Sequence, residues 1–421
     1  MKILVLGSGA REHAIILALR SESTQHELFA APGNAGIGQD ATLIGLDPCD
    51  PAAVTAQARE LAVDLVVIGP EAPLVAGVAD DLRARGIPVF GPGRAAAALE
   101  GSKAFAKRVM AAAGVPTGRA IHAQTRAEVQ AAFDELGAPY VVKADGLASG
   151  KGVIVTEDRD AALAHAERYL ADGAVLIEEF LRGEEVSLFF VSDGDYVHPL
   201  SPAQDFKRLR DGDLGPNTGG MGAYSPLPWL ANQFGSEADF VAYVARTVAE
   251  PVVRQLDHEG TPFIGLLYCG LILTDDGVRV IEFNARFGDP ETQVVLPRLI
   301  DPLSGLLLAA AVGNLEDHPA PRFDDRAAVT VVLASEGYPE SPVTGRPITG
   351  LDRAVAAPNV HITHAATATS DQALVATGGR VLSVVGLADT FAQARADVYT
   401  ALADIRLENS QFRTDIAARL A

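Results

Sequence analysis

Val141-Val142-Lys143-Ala144-Asp145-Gly146-Leu147-Ala148-Ser149-Gly150-Lys151-Gly152-Val153 is the stretch on which the reading of this chain turns. An apolar run ends in a lysine, a glycine-rich loop carries a second lysine, and another apolar run follows. The backbone N–H groups of such a loop, with two ammonium groups, can wrap a polyphosphate. The loop has neither the Gly-x-x-x-x-Gly-Lys-Ser/Thr order nor the following helix of a Walker loop. Taken alone, the segment is equally a glycine-rich hairpin with solvated lysines, and its neighbours must decide.

Downstream, Ile177-Glu178-Glu179-Phe180-Leu181-Arg182-Gly183-Glu184-Glu185-Val186-Ser187 sets acidic groups at the end of an apolar strand. Extended backbone there can offer N–H and C=O groups to an adenine edge, with a carboxylate further on for ribose hydroxyls. A solvated turn between two strands would carry the same residues. The third element, Val280-Ile281-Glu282-Phe283-Asn284-Ala285-Arg286-Phe287-Gly288-Asp289-Pro290-Glu291-Thr292-Gln293, is more specific. Strand alternation points Glu282 and Asn284 to one face, where two hard oxygen donors suit Mg²⁺ on nucleotide phosphates. Arg286 falls on the same face if extension continues, and can neutralise the charge that accumulates in phosphoryl transfer. Polar groups crowded beside an apolar strand are costly to bury unpaired, so a functional reading is favoured here.

Upstream, the first hundred residues alternate short apolar runs at 3–6, 27–31, 65–68 and 89–90 with helical patterns at 12–20, 51–62 and 75–85. That is the pattern of a doubly wound parallel sheet, whose Gly- and Pro-rich carboxyl-end loops form a ligand crevice. Composition shifts to an Ala-rich helix after Gly93, and a helix over 103–113 opens the next unit. Strands are expected at 140–143, 152–155, 175–179 and 185–191, with a helix at 159–170. Residues 201–225 form a Gly- and Asp-rich stretch too long for an ordinary connection, and are read as a functional loop. A helix at 239–255, strands at 266–274 and 278–282, a strand at 381–385 and a helix at 390–404 follow. The expected division is 1–100 for an N-terminal α/β domain, 101–325 for a central domain with a small lid over about 115–190, and 326–421 for a C-terminal α/β domain.

Among 421 residues, 48% are hydrophobic and 21% charged, a balance that fits a folded multidomain protein. The net charge of -20 argues against broad binding to nucleic acid or an anionic membrane, which needs basic surface. Small anionic substrates remain compatible, because a few local cations and helix amino termini can hold a phosphate. Cys49 and Cys269 form no metal-ligand spacing. The apolar start is too short for a signal peptide and no run reaches membrane length, so a cytoplasmic location is expected.

In order, the three elements resemble the signature of the ATP-grasp superfamily, in which two α+β subdomains clamp ATP. The finer resemblance is to its phosphoribosylamine-glycine ligase family. It rests on Gly7-Ser8-Gly9-Ala10-Arg11-Glu12-His13-Ala14, Ala31-Pro32-Gly33-Asn34-Ala35-Gly36, Gly69-Pro70-Glu71-Ala72-Pro73-Leu74 and Leu99-Glu100-Gly101-Ser102-Lys103. It continues through Gly215-Pro216-Asn217-Thr218-Gly219-Gly220-Met221-Gly222-Ala223-Tyr224 to Phe412-Arg413-Thr414-Asp415-Ile416, covering essentially the whole chain.

The resemblance implies that ATP phosphorylates the glycine carboxylate and that the amine of 5-phosphoribosylamine captures the acyl phosphate, in de novo purine synthesis. It places Lys103, Lys143 and the loop with Gly150 and Lys151 on the ATP phosphates. Glu178, Glu179, Phe180 and Leu181 fall at the adenine and Glu185 at the ribose. Glu282 and Asn284 would hold Mg²⁺ or Mn²⁺, and Arg286 with Asp289 would lie beside the acyl phosphate and glycine. Asp205, Lys207, Thr218, Gly219, Gly220 and Met221 are assigned to the amine substrate, and Gly9, Arg11, Asn34 and Glu71 to its phosphate and ribose. A monomer acting on small molecules, with no nucleic-acid or membrane partner, is expected. Ser8, Ala10, Phe206, Ala285 and Glu336 depart from the family pattern, which usually shows Asn, Gly, His, Cys and Gly there. The strand at 266–273 supplies no carboxylate, so a weakly held ion that leans on ATP and water is expected. Three rival readings are an ATP-grasp enzyme acting on bicarbonate or formate, a dinucleotide-dependent oxidoreductase suggested by Gly7-x-Gly9, and a catalytically dead regulatory binder, which would have little reason to keep Lys143, Glu282, Asn284 and Arg286 together. The run 216–224 opposes the first, and Glu12 in place of a third glycine opposes the second.

Overall fold

The computed structural model of the chain describes residues 1–146, 152–171, 173–357 and 359–421. The amino-terminal sheet has five parallel strands in the order Thr42–Leu43, Glu27–Pro32, Lys2–Gly7, Leu65–Ile68 and Val89–Phe90. Residues 3–6 and 65–68 are fully buried, as a sheet covered on both faces requires. The order reverses between Lys2–Gly7 and Leu65–Ile68, so the loops after Gly7 and Ile68 open side by side at a topological switch point. Thr42–Leu43 has only two residues, both exposed, and shows no sequence periodicity. The helix expected over 75–85 is two helices, Glu71–Ala76 and Val78–Ala84. They hinge at Gly77, whose φ of 85° is left-handed and where a Cβ would stand 2.7 Å from the Arg94 guanidinium.

The lid is a four-stranded sheet ordered Ala120–Ala123, Val175–Glu178, Tyr140–Ala144 and Val153–Thr156. It has its own core, in which Val129, Ala132 and Phe133 of helix Arg126–Leu136 and Ala162, Leu163 and Ala166 of helix Arg159–Leu170 cover Val142, Val175 and Ile177. The lid sheet closes at Glu178, short of the expected boundary at 190. Strand Glu184–Asp193 instead pairs along its whole length with Ile264–Thr274, in a second sheet that also holds Val197–Pro199 and Gly277–Asn284. Gly183 makes the crossing feasible, because any Cβ there would collide with the Leu273 carbonyl.

The helix expected over 239–255 is interrupted. Glu237–Val244 and Glu250–His258 flank a π turn at Ala245–Ala249, just before Pro251, which has no N–H to continue the α ladder.

The carboxyl-terminal sheet is antiparallel, in the order Gln204–Asp205, Gly222–Ser225, Ala327–Ala334, Arg380–Ala388, Val360–His364. Two of its five strands therefore come from the segment read as a loop. The rest of that segment forms the hairpin Arg208–Arg210 and Leu214–Asn217. Helix Phe391–Asp404 packs on the sheet through Ala394, Val398, Ala401 and Leu402.

Candidate active site

The three sequence elements converge. Lys143, near the end of strand Tyr140–Ala144, is 5% exposed; its Nζ lies 3.0 Å from Glu178 Oε2 on the neighbouring strand and 3.4 Å from the Ile281 carbonyl, which accepts from it. Helix Lys103–Ala113 begins beside it. Ser102 Oγ caps the helix by accepting from the Phe105 N–H at 3.2 Å, and Asp145 Oδ1 accepts from the Lys103 N–H at 2.7 Å. Lys103 Nζ donates to the Gly146 carbonyl at 3.1 Å, which ties the helix to the first residue of the glycine loop. One turn on, Lys107 Nζ lies 3.4 Å from Glu178 Oε2 and donates to Thr117 Oγ1 and the Gly118 carbonyl, both at 2.9 Å. Burial, reinforced by Lys143, lowers the Lys103 and Lys107 ammonium pKa values against the pull of nearby carboxylates. Gly150 and Lys151 lie outside the described residues.

Strand Gly277–Asn284 alternates as expected. Phe283 and Ala285 are buried, while Glu282 and Asn284 face the other way. Gly270 pairs with Glu282 and leaves room for it, since a Cβ at 270 would stand 3.1 Å from Glu282 Cγ. Burial pushes the Glu282 carboxyl up, but Lys207, Lys143, Lys103 and Arg286 together hold it below the usual carboxylate range. Among the described residues no three His, Cys, Asp or Glu side chains converge as a metal group. Glu282 and Asn284 thus offer an ionised two-oxygen edge facing cations. Such a donor set fits a hard divalent ion that completes its shell with phosphate and water.

Arg286 Nη2 lies 3.0 Å from Glu100 Oε1, and its Nη1 donates to the Phe287 carbonyl at 3.2 Å. Its Nε is buried without a hydrogen-bond partner, with Glu71 Oε2 at 3.6 Å. Burial opposes the guanidinium charge, but Glu100 and Glu71 outweigh it and raise the Arg286 pKa. Glu100 Oε2 also accepts from the Ala285 N–H at 2.7 Å. On the opposite wall Lys207 Nζ pairs with Glu185 Oε2 at 3.0 Å, and both lie near Asp205. Burial first, then Glu291, Glu185 and Glu282 against the pull of Lys207, push the Asp205 carboxyl up to about 7. Behind it, Glu291 Oε1 accepts from Tyr268 OH at 2.9 Å and Ser187 Oγ at 3.1 Å.

A cleft of about 420 Å³ opens where the amino-terminal loops meet the carboxyl-terminal region, lined by Ser8, Gly9, Gly33, Asn34, Asp289, Ala365, Ala366, Thr367, Thr377, Gly379 and Arg380. Arg11 is buried, with Nε on Glu12 Oε1 at 2.5 Å and Nη1 donating to the Phe287 carbonyl at 3.3 Å.

Four of the expected site residues have side chains already engaged within the protein. Asn34 lines the cleft, but its amide is occupied: Nδ2 donates to the Ser8, His364 and Ala365 carbonyls, and Oδ1 accepts from the Gly36 and Ile37 N–H groups. It clasps the two ends of the molecule together. Met221 is 0% exposed and packs with Leu209 and Ala334, so its side chain is core. Thr218 Oγ1 donates to the Lys207 carbonyl at 2.9 Å, which makes it a support for Lys207. Glu178 gives its carboxylate to Lys107 and Lys143. Two of the sequence departures have arginine partners: Phe206 lies 4.8 Å beneath the Arg413 guanidinium, and Glu336 pairs with Arg346 at 2.6 Å.

Sequence reasoning missed Lys107, Glu100, Glu291 and Arg380. Lys107 carried a signal, since it repeats Lys103 at helical i+4 spacing. Glu100 and Glu291 lie in the runs 99–103 and 280–293, where nothing in the spacing singles them out.

Fold and site define an ATP-grasp protein. The chain belongs to the phosphoribosylglycinamide synthetase family: residues 1–100 match that family's N domain, 101–292 its ATP-grasp (A) domain and 328–419 its C domain. It is 70% identical over 422 residues to a phosphoribosylamine-glycine ligase of Leifsonia xyli subsp. xyli, covering 100% of each chain. It is similar to the crystal structure of the Thermotoga maritima phosphoribosylamine-glycine ligase, with 32% identity, TM-score 0.83 and coverage of 99% of this chain and 100% of that one. The fold alone is shared with the biotin carboxylase domain of Hydrogenobacter thermophilus 2-oxoglutarate carboxylase, solved with MgADP and bicarbonate. There the identity is 18% and the TM-score 0.69, covering 98% of this chain and 91% of that one.

Proposed function

We propose that this protein is the carbon-nitrogen ligase that joins glycine to 5-phosphoribosylamine, splitting ATP to ADP and phosphate, in purine synthesis. The observation that carries the reading is the single charge network in which Lys103, Lys143, Lys207 and Arg286 surround Glu282. A glycine carboxylate is a poor acyl donor. Attack of its oxygen on the γ-phosphorus of ATP breaks the bond to ADP and gives glycyl phosphate, from which the amine expels phosphate to form the amide.

Lys103 and Lys143 hold the phosphates of ATP, and Glu282 and Asn284 would hold Mg²⁺ or Mn²⁺, which would neutralise phosphate charge when bound. The backbone from Glu179 to Leu181 takes the adenine and Glu185 the ribose. Arg286, with its unused Nε, and Asp289 flank the acyl phosphate and glycine. Asp205, Lys207 and the turn at Thr218, Gly219 and Gly220 face the amine. Gly9, Arg11 and Glu71 bound the crevice for its ribose phosphate. Positioning and charge neutralisation supply the catalysis, with no covalent enzyme intermediate. We place the activity in the cytoplasm and in a monomer.

ADP release, with glycine and freshly made phosphoribosylamine omitted in turn, tests the assignment. Turnover requires both substrates; equal ADP release without glycine would overturn it.

A further inference from the structure

We propose that Arg380 is a positioning residue, through which the carboxyl-terminal region aims the Asp289 carboxylate into the cleft and locks the Gly219-Gly220 turn behind it. The inference rests on the reading of Asp289 as a glycine contact. Arg380 opens strand Arg380–Ala388 and lines the cleft wall beside Asp289. Its Nη2 donates to Asp289 Oδ2 at 3.0 Å, while Nη1 donates to the Asp289 carbonyl at 2.8 Å and to the Gly219 carbonyl at 2.6 Å. One guanidinium therefore holds the side chain and main chain of Asp289 together with the Gly219 turn. Gln293 Nε2 donates to the other oxygen, Asp289 Oδ1, at 2.8 Å, so the carboxylate plane is fixed at both ends.

The two glycines are explained by the same contact. A Cβ at Gly219 would stand 3.0 Å from Arg380 Cζ, and one at Gly220, where φ is +108°, would collide with the Pro290 ring. The Gly-Gly pair makes room for the arginine and for Asp289-Pro290. A tie needed only to join two regions would not have to end on the wall of the cleft, yet Asp289 Oδ2 faces Gly9 across it. The charged groups around Asp289 are Arg380 from the carboxyl-terminal strand, Arg11 from helix Ala10–Arg20, and Arg286 on its own segment; Glu291 and Tyr338 act on Arg380. Burial favours the neutral acid, and Arg380, the first of the opposing charges, holds Asp289 ionised, as an ammonium partner must be. A planar fork holds its donors on separate nitrogens at fixed directions, as the side chain and two carbonyls require, where a lysine brings its donors from a single point on a flexible stem.

The test compares Arg380→Met, Arg380→Lys, Asp289→Asn and the Arg380→Met/Asp289→Asn double variant in the full-length enzyme, with melting curves alongside. Arg380→Met is expected to raise the glycine KM at least tenfold while the ATP KM stays within about twofold. Arg380→Lys should recover part of the loss by returning the charge without the fork. The double variant should be no worse than Asp289→Asn alone, because both changes remove one interaction. Equal rises in the glycine and ATP KM values, or independent losses that multiply in the double variant, would reduce Arg380 to a structural tie and overturn the proposal. If Asp289→Asn itself leaves the glycine KM unchanged, the reading of Asp289 fails and the inference falls with it. An Asp289→Asn defect without an Arg380→Met defect removes the inference alone.

Discussion

Lys103, Lys143, Lys207 and Arg286 all act on Glu282, so the carboxylate is the counter-charge that lets four cations share one site, and as the proposed metal ligand it is the residue to remove first. Glu282→Ala should lower turnover by at least about a hundredfold with the circular dichroism spectrum unchanged, since it removes no packing group. Unaltered turnover would refute the site as drawn. Lys107 shares Glu178 with Lys143. Lys107→Ala should raise the ATP KM about tenfold, roughly 1.4 kcal/mol, by leaving Glu178 to draw Lys143 away from phosphate; titration of ADP release against ATP reads it. At this scale the sequence was most informative where charged or polar side chains stood next to an apolar run, as at Lys143, Glu282, Asn284 and Arg286. It was silent on Arg380, whose partner Asp289 lies 91 positions away. Nor could it show that the Asn34 amide is taken up by backbone groups, because a buried amide that joins backbone carbonyls has the same letter as one that binds a ligand.

Elements with a long apolar period were legible. Helix Arg159–Leu170 and strand Leu65–Ile68 fall where the pattern put them. The segment 201–225 was not, because Gln204–Asp205 and Gly222–Ser225 are two and four residues long and take their partners from residues 327–334 or from each other. Such strands exist by virtue of tertiary pairing, and local composition has no means of announcing them. Helix Lys103–Ala113 offers a test at this level. Its first turn is held by Ser102 and Asp145, and both contacts also place Lys103. Ser102→Ala should cost about 1 kcal/mol in urea unfolding and Ser102→Gly only a few tenths. A neutral Ser102→Ala would mean that Asp145 alone caps the helix.

Across the whole molecule, the seam between its two ends is built on neutral histidines. His13 Nδ1 accepts from the His364 N–H at 2.8 Å, and its Nε2 meets Asp40 Oδ2 at 3.0 Å. Burial lowers both His13 and His364 to about 4. Between that value and the ordinary 6.5 the unfolded chain binds more protons, so the stabilisation is complete above about pH 6.5 and drains as pH falls toward 4. For His13 this amounts to roughly 3 kcal/mol. Denaturant unfolding at pH 7.5 and 5.0 should show the loss, and a flat profile would contradict a buried neutral pair. The expected cut at residue 326 was the natural one from composition, yet it passes through the antiparallel sheet, because sheet membership is not written along the chain. A fragment ending at 325 should therefore aggregate or fail to turn over, and a soluble, active one would show that the last strands are dispensable. The same interleaving bears on how the protein is made. Gly222–Ser225 leaves the ribosome about a hundred residues before Ala327 does, a wait of roughly 5 to 20 seconds at ordinary synthesis rates. Throughout that interval the nascent chain carries an unmated edge that invites pairing with a neighbour on the same polysome.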